Sequence, residues 1–113
     1  MSRLLGDNWK NSIGGEDFWA FDLEANKVCF SFYLLFDAET FEYDHGWAVF
    51  SKNGFRRLLE TFFEKGDSEL AENDAYISIT KHTDCLWINV GSKPTALLAC
   101  SKEIPKSVLE ILM

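Results

Sequence analysis

The chain has 113 residues, 47% of them apolar, and a formal net charge of −7. That length implies one domain over residues 1–113, and that apolar fraction excludes a disordered chain because it suffices for a core. The acidity argues against nucleic acid or an anionic membrane surface as the natural ligand, since both require a basic footprint.

Residues 1–15 are polar and end in Gly14-Gly15. They read as an N-terminal arm with a short helical turn around Leu4 and Leu5. The arm has no apolar stretch of the kind a secretory signal needs, and no run in the chain reaches the roughly 18 apolar residues that cross a bilayer. From Asp17 to Leu23, Trp19, Phe21 and Leu23 alternate with Phe18, Ala20 and Asp22, which predicts a strand. Glu24-Ala25-Asn26-Lys27 predicts a tight turn, with Asn26 suited to positive φ. Val28 to Phe36 is the clearest strand, with Val28, Phe30, Phe32, Leu34 and Phe36 on one face. Asp37-Ala38-Glu39-Thr40 predicts the next turn. Phe41 to Phe50 resumes extended character, with a bulge or short loop expected at Asp44-His45-Gly46.

Ser51 to Lys65 predicts the main helix. Ser51 suits an N-cap, Phe55, Leu58, Leu59, Phe62 and Phe63 form one apolar stripe, and Gly66 suits a left-handed stop. Arg56–Glu60 and Arg57–Glu64 are possible ion pairs on the opposite face. Asp67 to Asp74 reads as an acidic connector. Ala75 to Lys81 and Cys85 to Val90 predict strands joined by a turn at His82-Thr83-Asp84. Gly91-Ser92-Lys93-Pro94 predicts another turn, and Thr95 to Cys100 a last strand. Pro105 can open a terminal helix to Leu112, docked by Val108, Leu109, Ile111 and Leu112. The order β-β-β-α-β-β-β-α implies an α+β fold, with one antiparallel sheet of about six strands and the main helix packed on a face.

Charge is not spread evenly along this order. Glu16 to Trp47 holds eight acids against the single base Lys27, a balance of −7 that equals the charge of the whole chain. The same stretch holds ten aromatic residues. One-signed charge steers oppositely charged partners toward it.

No motif for catalysis or a cofactor stands out, so the expectation is a non-enzyme without cofactor or metal. Asp37-x-Glu39 and Glu42-x-Asp44, with His45 adjacent, could offer oxygens to a hard cation, but no twelve-residue calcium loop is present and solvated turn acids explain them better. His82, Asp84 and Cys85 are too close in sequence for the mutual geometry of a thiol nucleophile and its base, and no helix N-terminus is expected beside Cys85. Gly14-Gly15 lacks the strand, helix and Lys-Ser/Thr of a phosphate loop. The three cysteines, Cys29, Cys85 and Cys100, are widely spaced within apolar runs. They read as reduced, buried thiols of a cytoplasmic protein. By period, Phe30, Phe32 and Phe36 belong to the core, and Phe55, Phe62 and Phe63 to the helix stripe. Trp19, Tyr33, Tyr43 and Trp47 are left as possible anchors, because aromatics amid a charged rim are the composition of interfaces. The expected contact surface is Asp37, Glu39, Glu42, Tyr43, Asp44 and Trp47.

In size, acidity and mixed α/β order, the chain resembles bacterial immunity proteins of toxin–immunity systems, such as those of contact-dependent growth inhibition. The resemblance implies a protein that binds a cognate basic toxin, often a nuclease, and covers its active site, acting as a monomer or weak dimer. Two alternatives share the same general character. Type III secretion-effector chaperones are similar in size and acidity, but they begin with an amphipathic helix that this chain lacks. A phage anti-defence inhibitor would mimic nucleic acid, and the acids here are not spaced like phosphates.

Overall fold

The computed structural model describes residues 2–10, 16–37, 42–72, 75–91, 96–100 and 103–113. Apolar residues at period two govern most of them. Strands β1 (Ser2–Lys10), β2 (Glu16–Glu24), β3 (Lys27–Asp37) and β4 (Glu42–Ser51) form an antiparallel meander in the order β1-β2-β3-β4. Helix α1 (Lys52–Lys65) follows without a linker. Strands β5 (Asp67–Glu72), β6 (Ala75–Lys81), β7 (Leu86–Gly91) and β8 (Ala96–Cys100) form a second four-stranded meander, and the short helix α2 (Ser107–Leu112) comes last. The chain thus runs four strands and a helix, twice.

The α+β class stands, but the single sheet of about six strands does not: there are two sheets of four. The two strands absent from the sequence expectation are β1, which takes the place of the expected arm, and β5, which takes the place of the acidic connector. Both are edge strands. An edge strand meets only one neighbour and tolerates charge, so it carries little of the alternation that identifies a strand. Among the described side chains of β1, Leu4 is buried and Leu5 partly so. In β5, exposed Asp67, Glu69 and Ala71 alternate with half-buried Ser68, Leu70 and Glu72.

One hydrophobic core joins both sheets and both helices. The inner face of the first sheet is aromatic: Trp19, Phe21, Phe30, Phe32 and Phe50 are all buried. The inner face of the second is aliphatic, with Ile77, Ile79, Leu86, Ile88 and Val90. Phe55 of α1 packs against Phe21, with ring centroids 5.3 Å apart, and against Phe50 at 6.3 Å. Phe55, Leu58, Leu59 and Phe62 are the buried stripe. Phe63 is half-buried beside it. α2 docks through Val108 and Leu112, while Ile111, expected to dock, is exposed.

The helix ends follow the sequence closely. The Ser51 hydroxyl accepts from the Gly54 amide at 3.0 Å, and Gly66 stands at φ 82° with its amide donating to the Phe62 carbonyl at 2.8 Å. Arg56 reaches Glu60 at 3.3 Å, whereas Arg57 and Glu64 form no ion pair among the described residues. The structure adds a lock. Glu72, at the end of β5, accepts from the Ser51 amide at 2.7 Å and from the Ser51 hydroxyl. Its carboxylate therefore ties the second sheet to the junction of the first sheet with α1, where the helix's positive end favours an anion.

Two local expectations are corrected. Asp44, His45 and Gly46 form no bulge or loop. They pair in unbroken register with Leu34, Tyr33 and Phe32, and the irregularity lies at Leu35/Asp37 instead. In the β2–β3 turn, Ala25 takes the positive φ (54°), not Asn26. The expected turns at 38–40 and 92–94 lie outside the described residues, as do Gly14 and Gly15.

Candidate partner-binding face

The β2–β3 turn sets which residues stand together on the outer face of the first sheet. With Glu24 opposite Lys27, pairing brings Asp22 opposite Cys29, Ala20 opposite Ser31 and Phe18 opposite Tyr33. β4 extends each row, placing Val49 beside Cys29, Trp47 beside Ser31 and His45 beside Tyr33. Side chains paired across antiparallel strands share a face. Three rings therefore run in a row across β2, β3 and β4. Phe18 and Tyr33 stack with centroids 6.0 Å apart and planes 18° apart, and Tyr33 and His45 lie 6.3 Å apart. Trp47 sits one row along and is 69% exposed, the most of any described aromatic. Phe18 and Val49 are each 38% exposed. A monomer seldom leaves so many large apolar groups together on one sheet face without use.

Beside the row, Arg3, Gly6, Asp7, Asn8, Phe18 and Tyr33 line an open groove of about 570 Å³. Arg3 is ion-paired with Asp22 across β1 and β2. Asp7 accepts from the Asn8 amide at 2.9 Å.

Register also sorts the charge. At the end of the sheet nearest α1, each acid meets a base: Glu24 stands opposite Lys27, and Asp22 is paired with Arg3. At the far end, Glu16 stands opposite Lys10, but Asp17 stands opposite Trp9, Asp44 opposite Leu34, and Asp37 and Glu42 oppose one another. Backbone register thus brings Asp37, Glu42 and Asp44 to the end of the sheet away from Asp22 and Glu24, a few residues along the strands from the aromatic row.

Of the six residues expected to form the contact surface, Trp47 is on this outer face. Tyr43 shares its strand parity, two and four residues from His45 and Trp47. Glu42 and Asp44 take the opposite parity along β4, and Asp37 ends β3 opposite Glu42. Glu39 lies outside the described residues. Trp19, left open as an anchor, belongs to the core at 2% exposure. Phe18 and His45 were not singled out from sequence, although the two-residue turn at Ala25-Asn26 carries the signal. Counting back from it pairs Phe18 with Tyr33.

The outer face of the second sheet is polar. Asp67, Thr80 and Trp87 form one row and Glu69, Ser78 and Asn89 the next. The Tyr76 hydroxyl donates to Glu69 at 3.0 Å. Asp67, Ser68, Glu69, Tyr76, Ser78 and Thr80 border a shallow depression of about 430 Å³. At the β6–β7 turn, the His82 amide donates to the Cys85 carbonyl at 2.8 Å, and the His82 ring packs edge-on against Trp87 at 5.9 Å.

Cys29 and Cys85 are free thiols, half-buried rather than buried as expected. Burial, together with a hydrogen bond to Glu24 and the negative charge of Glu24 and Asp22, pushes the Cys29 thiol above its ordinary value, with Lys27 opposing. Among the described residues no group of three or more His, Cys, Asp or Glu could hold a metal ion, and no helix is long and apolar enough to cross a membrane. No protein-family model, curated protein or solved structure matches the chain.

Proposed function

We propose that this chain is a non-catalytic protein-binding inhibitor that captures a basic partner, and that it serves as an immunity protein covering the active site of a cognate toxin. The observation that carries this reading is an outer sheet face bearing the rings of Phe18, Tyr33 and His45 with exposed Trp47 one row along, on a sheet whose register brings Asp37, Glu42 and Asp44 to one end. Long-range attraction from the acids would orient a basic protein, and the rings would supply the few desolvated anchors that hold it. Asp37, Glu39, Glu42, Tyr43, Asp44 and Trp47 remain the contact residues of this proposal, now with Phe18, Tyr33 and His45 beside them.

The test is co-purification of the tagged protein from its native host at low salt, identification of what binds, and an assay of that protein's toxicity with and without this chain. A stoichiometric basic protein whose toxicity this chain suppresses supports the proposal. Asp37→Lys with Glu42→Lys should slow its association and flatten the salt dependence. Unchanged binding by that double variant would remove those two residues from the site, and a partner that is acidic or neutral would remove the immunity reading.

A further inference from the structure

We infer that the cavity between the end of α1 and the segment leading into α2 binds a small amphipathic carboxylate, with its apolar body against Phe62, Phe63 and Ile104 and its charge at Lys81 and Lys106. The cavity measures about 470 Å³, within the range of about 300–1,000 Å³ usual for small-ligand sites. Its floor is apolar. Phe62, Leu86 and Ile104 are buried, and Phe63 stands half-buried beside Phe62 with ring centroids 5.8 Å apart. Such a floor rewards an apolar body and offers nothing to a free inorganic ion.

The charge lining the cavity is positive, against the acidity of the chain as a whole. Lys81 has the parity of buried Ile77 and Ile79 along β6 and stands opposite buried Leu86, so it takes a core-facing position at the strand's end. Its amide donates to the Gly66 carbonyl at 2.8 Å, which fixes it beside the end of α1. A lysine in such a place can lay its stem along the apolar wall and hold its ammonium at the mouth. Lys106, the residue before α2, supplies the second cation. Glu103 is the one acid lining the cavity, and among the described residues it is ion-paired with neither lysine. Two bases against one acid leave a single net positive charge, which suits a monoanion better than a dianionic phosphate. The cavity shares no residue with the aromatic face of the first sheet and does not depend on a basic partner.

The experiment is an NMR titration of the intact protein with octanoate, and with hexanoate, octanol, octylammonium and acetate, following backbone amides. Octanoate should give saturable shifts at Phe62, Phe63, Lys81, Leu86 and Ile104. Hexanoate should bind about tenfold more weakly, through the loss of two buried methylenes. Octanol and octylammonium should each bind at least about threefold more weakly, because they lack the charge or reverse it. Acetate should leave these amides unshifted. Lys81→Met and Lys106→Met should each weaken octanoate binding about threefold without weakening octanol, while Lys81→Arg retains it. Both lysines are exposed, and unshifted amides elsewhere in the spectra establish that the variants remain folded. No saturable shift, octanol binding as tightly as octanoate, octanoate affinity that survives the double variant, or shifts confined to Phe18, Tyr33 and Trp47 would each overturn the assignment.

Discussion

The two four-stranded meanders share a topology and a core yet turn different chemistry outward. The first shows Phe18, Tyr33, His45, Trp47 and Val49 alongside Asp22, Cys29 and Ser31. The second shows Asp67, Glu69, Ser78, Thr80 and Asn89, with Tyr76 and Trp87 as its large rings among the described residues. The buried residues of both inner faces are mostly apolar, because both bury into one shared core with the helices. The inner faces are therefore set by folding. The outer faces are free of that demand, and only there can the difference between the halves express function. A polar outer face is the ordinary, solvated arrangement of an antiparallel sheet. The aromatic one departs from it.

The strongest way to break the comparison is to ask whether the halves are one folding unit. Ile88→Ala, at a fully buried position of the second sheet, should cost about 2–5 kcal/mol by opening a cavity. With a shared core, the near-ultraviolet signal of the first sheet's aromatics should be lost in the same urea transition as the backbone signal. A first-sheet signal that persists to the unaltered midpoint would show two separate cores.

The next contrast sets the two exposed tryptophans against each other. Trp47→Ala should change stability by less than about 0.5 kcal/mol but weaken partner binding by at least about tenfold, measured by calorimetry. Trp87→Ala should leave partner affinity unchanged. Equal losses from both would erase the distinction between the faces.

The lock between the halves can be weakened at Glu72. Glu72→Ala removes both acceptors from Ser51 and should cost about 1–2 kcal/mol in denaturant melts. A Cβ on Gly54 would stand 2.5 Å from the Glu72 Oε2 and 2.7 Å from the Ser51 Oγ. Gly54→Ala should therefore be destabilising in the native background despite alanine's better helix propensity, and less so once Glu72 is alanine. Additive effects would mean that the carboxylate does not occupy that space in solution.

Smaller effects are expected at the end of the first sheet nearest α1. Ala25→Gly should stabilise by about 0.5 kcal/mol, since relief of the left-handed conformation outweighs the added freedom of the unfolded chain. Cys29 should alkylate more slowly than a free thiol at pH 8, as followed by mass spectrometry against Cys29→Ser, and should approach the free-thiol rate only at higher pH. The sign for stability follows from the same cause. The unfolded thiol ionises first, so the native state keeps a proton that the unfolded state has lost. Cys29's contribution therefore declines as pH rises past the unfolded value.

Much of the fold was legible in the residues. The apolar stripe from Phe55 to Phe62, with Ser51 before it and Gly66 after it, located α1 to within a residue. Alternation located β3, and it located β6 to the residue. Each of these elements buries one face, and burial writes a period into sequence. β1 and β5 were hidden because edge strands bury little and carry charge. The concentration of acids between Glu16 and Trp47 was also visible in one dimension. Its division into an end where Asp22 pairs with Arg3 and Glu24 stands opposite Lys27, and an end where Asp37 stands opposite Glu42 and Asp44 opposite Leu34, was not. That division depends on which strand lies opposite which.

By itself, then, the sequence determined the inner faces, the helix with its caps, the α+β class and the sign of the charge, since local periodicity, capping chemistry and composition act without reference to distant residues. The tertiary structure alone decided the split into two sheets, the Glu72 lock on Ser51, and the meeting of Phe18, Tyr33, His45 and Trp47. Those depend on strand register and on contacts between residues far apart in the chain, which no local pattern encodes.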